Sequence, residues 1–300
     1  MIKQAVFFLA ELTASSRTIR GIGFLLISTL SMSAMITLVR HLSADLHPFQ
    51  LAFFRAFFGF LVFIPFFIQQ GLAPLHTKRL GLHGFRAILH STSVILFFYG
   101  LTMTPLAKAI SIQFSAPLFA SVLAIMLLGE SLRFGRIAAL AIGFIGTLVV
   151  LRPGIVAIEF GTIALLIAAA MWGTAIITIK SLARTEASTT MTIYSTLLMS
   201  PITLVIAIPV WQHPNSGQIF LLLIVGGLAS AGHLALATAM KLAEVTALTP
   251  IEFTKLIWVA IFGFFLFGEV PDWGVWVGGA LIFTATTYIS LRERQLDVKH

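Results

Sequence analysis

The sequence predicts an all-α membrane protein with ten transmembrane helices arranged as two inverted five-helix repeats. Three observations carry that expectation. The 300 residues are 58% hydrophobic and only 10% charged, whereas a soluble domain is about 45–50% apolar and about 25% charged. Ten apolar stretches of spanning length follow one another with short connections. Stretches in the first half can be laid over stretches in the second at an offset of 139 to 140 residues.

A helix needs roughly 20 mostly apolar residues to cross the hydrocarbon layer. Cutting at polar, Pro and Gly punctuation places spans at about 20–40, 48–68, 80–101, 105–128, 134–151, 160–180, 189–211, 217–240, 247–267 and 272–291. The third carries Arg86 and His90, and the fifth is only just long enough. The stretch "QQGLAPLHTKR" at 69–79 is one of the clearer polar loops. Ahead of the first span, the apolar core Ala5–Ala10 of "MIKQAVFFLAELTASSR" is short for a secretory signal and runs into Glu11. Residues 1–18 are therefore expected as a cytoplasmic tail, and 293–300 as a second one.

Orientation follows from Lys and Arg, which accumulate in cytoplasmic segments. With the N-terminus inside, thirteen of the 19 fall in inside segments and three (Arg40, Lys108 and Arg152) outside. Arg55, Arg86 and Lys255 lie within spans. Both termini are expected in the cytoplasm. The net charge of +8 does not point to nucleic acid, because the basic residues stand singly or in pairs between apolar runs. The chain has no cysteine, which removes disulfides, thiolate metal sites and thiol nucleophiles. No "GxxxxGK[ST]", "HExxH" or "DxxxD" motif occurs, so neither an enzyme nor an in-chain ATPase is expected, and no cofactor or metal.

The repeat is read from two alignments. "QFSAPLFASVLAIMLLGESLRFG" (113–135) lies over "EFTKLIWVAIFGFFLFGEVPDWG" (252–274), matching Glu130 to Glu269 and Gly135 to Gly274. "GIGFLLISTLSMSAMITLVR" (21–40) lies over "GTIALLIAAAMWGTAIITIK" (161–180). Five spans per half is odd, so the second half enters the membrane upside down. Inverted repeats are a signature of secondary transporters, with the substrate near the midplane. The halves are bounded at 19–152 and 153–292.

With "FFRAFFGFLVFIPFF" in the second span and "PLAKAISIQFSAPLFASVLAIMLLGE" in the fourth, the chain resembles the EamA branch of the drug/metabolite transporter superfamily over about 20–292. The resemblance implies a ten-helix inner-membrane carrier of small metabolites working by alternating access. It also implies a central cavity lined mainly by helices 3, 4, 8 and 9, with help from 1 and 6. Its members move amino acids, nucleosides, vitamins such as riboflavin, or other solutes.

A charged side chain in a span costs about 2.5–3.5 kcal/mol on insertion scales and so faces the bundle or a wet cavity. Arg55 is expected as an intramembrane anchor, held by helix-end carbonyls or a carboxylate; the resemblance makes an Arg there common. Arg86 is expected in the same structural class, close enough to the cytoplasmic end to snorkel. His90, one turn on and near the midplane, can bind substrate or relay a proton. Gln113 and Glu252 are repeat counterparts on helices 4 and 9, which the resemblance makes cavity-lining. Lys255 is within ion-pair reach of Glu252 at (i, i+3). Glu252 and His90 are the candidates for proton coupling. Trp172, Tyr99 and Trp258 can stack on a planar substrate, Trp172 being too deep for an interfacial belt. His233, in "GGLASAGHLALA", ranks below these. Pro105, Pro117 and Pro250 are expected to bend helices 4 and 9. Gly135–Ala139–Gly143 and Gly274–Gly278 are small-residue seams, for packing within one chain or between two copies in a homodimer.

The function expected is a carrier for an amino acid or similar amphipathic solute, since Glu252 and Lys255 together suit a zwitterion, with export favoured. An importer of a planar vitamin such as riboflavin is the alternative. A membrane-embedded enzyme on a lipid-linked substrate is the rival from another class. The partners expected are the small-molecule substrate and the bilayer.

Overall fold

The computed structural model describes residues 2–128, 134–152, 159–183, 185–243, 248 and 251–297. Every regular element among them is helical. Two expected features, Glu130 of the shared "GE" and Pro250, lie outside the described residues. The helices are α1 Ile2–Leu42, α2 Pro48–Leu61, α3 Ile64–Gln70, α4 Leu80–Met103, α5 Leu106–Gln113, α6 Ala116–Leu128, α7 Phe134–Leu151, α8 Phe160–Ala183, α9 Ser188–Ala207, α10 Ser216–Leu242, α11 Thr254–Phe267 and α12 Trp273–Asp297.

Six described stretches are long and apolar enough to cross a membrane: Arg17–Leu42, Pro48–Gln70, Leu80–Met103, Phe160–Ile179, Thr189–Val210 and Ser216–Met240. Leu106–Ala120, Ile137–Leu151 and Thr254–Phe267 are shorter apolar helices. Large apolar side chains such as Ile68, Val205, Phe220 and Phe265 face outward, while Ser28, Thr29, Ser33, Arg55, His90 and Ser195 are buried. That distribution is the reverse of a water-soluble protein and suits a bilayer.

Some boundaries differ from expectation. The tail expected at 1–18 is helical from Ile2 and continuous with the first span, because no Gly or Pro interrupts the chain before Gly21. At the other end α12 continues past 292 to Asp297. The second span is two helices, broken at Val62–Phe63, where Pro65 can offer no N–H to the carbonyl of Leu61.

The fourth and ninth spans are also interrupted, the fourth ahead of a proline. α5 ends at Gln113, whose carbonyl Pro117 cannot serve because it has no N–H, and α6 starts at Ala116. Ser115 Oγ donates to the Ile112 carbonyl at 2.6 Å, which also accepts from the Ser115 amide at 3.0 Å. Phe253 similarly interrupts helical structure between Ile251–Glu252 and α11, and Thr254 Oγ1 donates to the Ile251 carbonyl at 2.7 Å. Both are hydroxyl bonds to the carbonyl three residues back, at the points where the regular helical ladder is interrupted. Phe114 and Phe253, one at each break, stack with ring centroids 4.2 Å apart and planes 24° from parallel.

Four helix pairs form the main packing: α1 on α10, α4 on α8, α7 on α12 and α2 on α9. The α7–α12 seam is close: a Cβ on Gly278 would lie 2.5 Å from the Gly146 carbonyl oxygen, and one on Gly146 only 2.8 Å from that of Gly278. Only glycine permits backbones to approach this far. The small-residue seam therefore packs within one chain.

Candidate functional site

Five helices bring polar side chains together in the middle of the bundle. α2 supplies Arg55, α4 His90, α8 Trp172, α9 Ser195 and Met199, and α10 His233. Arg55 is 5% exposed. Its Nη2 lies 3.0 Å from His233 Nε2 and its Nη1 3.7 Å from Met199 Sδ. A guanidinium has no lone pair to offer, so His233 Nε2 is the acceptor and the ring is neutral there. The His90 ring lies 4.9 Å from that of Trp172 and 5.9 Å from that of His233, and its Nδ1 is 2.9 Å from Ser195 Oγ. The carbonyl or carboxylate expected beside Arg55 is replaced by a histidine and a thioether. None of the described ion pairs involves it, and its Nε has no partner.

A second group gathers at the paired helix breaks. Glu252 and Lys255 form an ion pair at 3.6 Å, with side chains 35% and 21% exposed. Gln113, the counterpart of Glu252, leaves its buried Oε1 without a partner. α1 links this group to the first. Ser33 Oγ, which donates to the Thr29 carbonyl at 2.7 Å, lies 3.4 Å from the Lys255 carbonyl, Thr29 and Thr254 share a hydroxyl bond of 2.9 Å, and Ser28 Oγ donates at 2.8 Å to the carbonyl of Gly232, next to His233.

The remaining candidates are placed elsewhere. Tyr99 packs with Phe49 and Phe160 near the far end of α4. Trp258 lies on α11 with its buried Nε1 unpartnered. Arg86 is 8% exposed and donates to the Met191 carbonyl at 2.8 Å, so it is held by α9 and does not snorkel to water. Ser195 and Met199 escaped the sequence reading, since a serine or methionine in an apolar helix gives no signal of its own.

The Arg40 end of the bundle is tied shut. Gly268 closes α11 in the left-handed conformation, with φ at +66°, which turns the chain so that Glu269 reaches back. Glu269 Oε2 accepts from the Leu106 amide at 2.7 Å, at the start of α5, and Oε1 lies 3.6 Å from Arg40 Nη2. Arg40 also donates to the Leu101 carbonyl at the end of α4. The carboxylate thus joins the end of α11 to α5 and α1, and Arg40 extends the link to α4, beside a small cavity lined by Pro105, Lys108, Gly263 and Asp272 among others.

The architecture recurs in a solved crystal structure with a TM-score of 0.62 and 20% identity, covering 94% of this chain and 99% of that one; it speaks for the fold alone. The EamA-like transporter family model matches twice, over residues 19–152 and 159–291. The chain belongs to the EamA-like transporter family. This EamA chain is 31% identical over 281 residues to the S-adenosylmethionine uptake transporter of Rickettsia felis, covering 93% of this chain and 96% of that one. It is 29% identical over 236 residues to the riboflavin transporter of Vibrio cholerae, covering 78% and 79%. The EamA chain is thus a multi-pass membrane transporter of the drug/metabolite superfamily and not an enzyme.

Proposed function

We propose that the protein is a secondary carrier of ten spans in two inverted halves, 19–152 and 153–292, residing in the inner membrane with both termini in the cytoplasm. The supporting observation is that contacts come in exchanged couples at an offset of 139 to 140. The α1–α10 contact of Gly21 with Ala239 and Ala243 has its counterpart in the α8–α4 contact of Gly161 with Gly100 and Met103. Gly143 against Ala285 corresponds to Gly146 against Ile282. Phe114 stacked on Phe253 is a self-paired contact, as expected on a pseudo-two-fold axis.

Substrate sits between two walls along that axis. One is Arg55, His90 and Trp172, where α2 packs on α9. The other is Gln113, Glu252 and Lys255 at the paired breaks. The aromatic surface of Trp172 and His90 suits a planar heterocycle, and the Glu252–Lys255 couple suits an amino-acid group. Both features meet in the class of solute that S-adenosylmethionine represents, and the planar ring alone in that of riboflavin. The S-adenosylmethionine relatives are uptake transporters, so uptake replaces export as the direction proposed.

A thermal-shift panel on the detergent-purified protein tests the site. S-adenosylmethionine or riboflavin is expected to raise the melting temperature where methionine does not, and Trp172→Leu to remove that shift. Equal shifts in the variant, or none from either planar compound, would remove the aromatic wall from the site.

A further inference from the structure

We propose that Arg55 is a specificity-determining residue: its guanidinium receives the carboxylate of the substrate while Trp172 and His90 hold the planar part. The inference deepens the carrier reading above and rests on it.

The starting point is a charge imbalance. Arg55 is buried in the middle of the bundle, where an uncompensated cation is expensive. Glu252 is already occupied by Lys255, and Arg86 is committed to the Met191 carbonyl. Among the described residues, Arg55 contacts only a neutral His233 nitrogen and a thioether sulfur through its guanidinium nitrogens. The Nε, which with one Nη makes the fork that matches a carboxylate, is buried and has no hydrogen-bond acceptor among the described residues.

A merely structural arginine in this position would spend its donors on carbonyls, as Arg79 does with Ser181 and Arg86 with Met191. Arg55 instead borrows the weakest acceptors in reach. His233 holds one Nη from α10 and Met199 the other from α9, which fixes the guanidinium without neutralising it. Such a group gains most when an anion arrives, since a charge-assisted, bidentate pair is among the strongest polar contacts.

The neighbouring rings specify what carries the anion. His90 stands between Trp172 and His233, so a planar substituent against Trp172 and an anionic one against Arg55 belong to the same small molecule. The solute class is a planar heterocycle bearing an amino acid, with the carboxylate directed toward α2.

Matched pairs that differ only in the carboxylate test this. Binding to the purified full chain is measured for S-adenosylmethionine against decarboxylated S-adenosylmethionine, and for tryptophan against tryptamine. The wild type is expected to prefer the acid of at least one pair by about tenfold or more. Arg55→Gln is expected to erase that preference while leaving the decarboxylated member bound, and Arg55→Lys to restore part of it. His233→Leu, which frees the guanidinium from its holder, is expected to weaken the acid selectively even if the Arg55 variants fail to fold. Equal binding of both members by the wild type, binding of neither, or an equal loss of both in the variants would overturn the assignment. Failure of transport with the acid preference intact would instead sink the carrier reading and leave Arg55 as an anion site.

Discussion

Phe114 and Phe253 stand 139 residues apart in sequence and stack face to face, with ring centroids 4.2 Å apart, each at the break in its own helix. Each break is closed by a hydroxyl on the following residue, Ser115 or Thr254, bonding three residues back. Truncating either ring to alanine is expected to cost about 3 kcal/mol, typical of a buried aromatic. The double variant is expected to cost clearly less than the sum, since both remove the same contact. Strict additivity in chemical or thermal unfolding would contradict a shared stack.

Glu269 closes the Arg40 end by accepting the first amide of α5 and pairing with Arg40. Because the chain has no cysteine, a single Ala107→Cys beside the latch can be labelled with a membrane-impermeant maleimide without background. Labelling is expected to quicken from the parent to Glu269→Gln, which keeps an acceptor, and further to Glu269→Ala, which keeps none. Unchanged rates would mean that the end is held shut by other contacts, such as the reciprocal bonds of Gln50 with Gln212.

Glu252→Gln removes the carboxylate of the second wall. Its pair with Lys255 is partly exposed, so the loss of stability is expected to be small, about 0.5 kcal/mol or less. Transport is expected to fall by far more than that difference explains. A variant that melts like the parent and transports like it would make the pair structural.

His47 caps α2 with its Nδ1, which accepts from the Phe49 amide, and burial lowers its pKa below the ordinary 6.5. The cap needs a neutral ring, and protonation also sets a positive charge on a helix N-terminus. Because the folded pKa is depressed, the stabilisation is full above about pH 6.5 and is lost as pH falls below it. The expected loss is about 1 kcal/mol, the size of a cap. His47→Asn, a cap that does not titrate, is expected to flatten this part of the pH–stability curve, and an unchanged slope would assign it to other groups.

The fold was legible where one physical signal dominates. Apolar length located the six long spans, and Pro117 marked the interruption of the fourth, because a missing donor acts locally; the break at Val62–Phe63 was not expected. The Glu252–Lys255 pair was legible for the same reason, with both partners on neighbouring turns. Arg55 and His233 were not joined in advance. They are separated by 178 residues, and the bond between them depends on how α2 crosses α10. Glu269 was noted as half of a matched "GE", but its part in tying the end of α11 to α5 and α1 depends on the turn at Gly268.

The most direct measurement is counterflow in liposomes holding the purified protein, with radiolabelled S-adenosylmethionine and riboflavin as probes. Vesicles preloaded with the unlabelled compound are expected to accumulate label transiently above equilibrium, with a rate that saturates, as a binding site alternately open to each side requires. Uptake that rises linearly with concentration and ignores preloading would contradict a carrier.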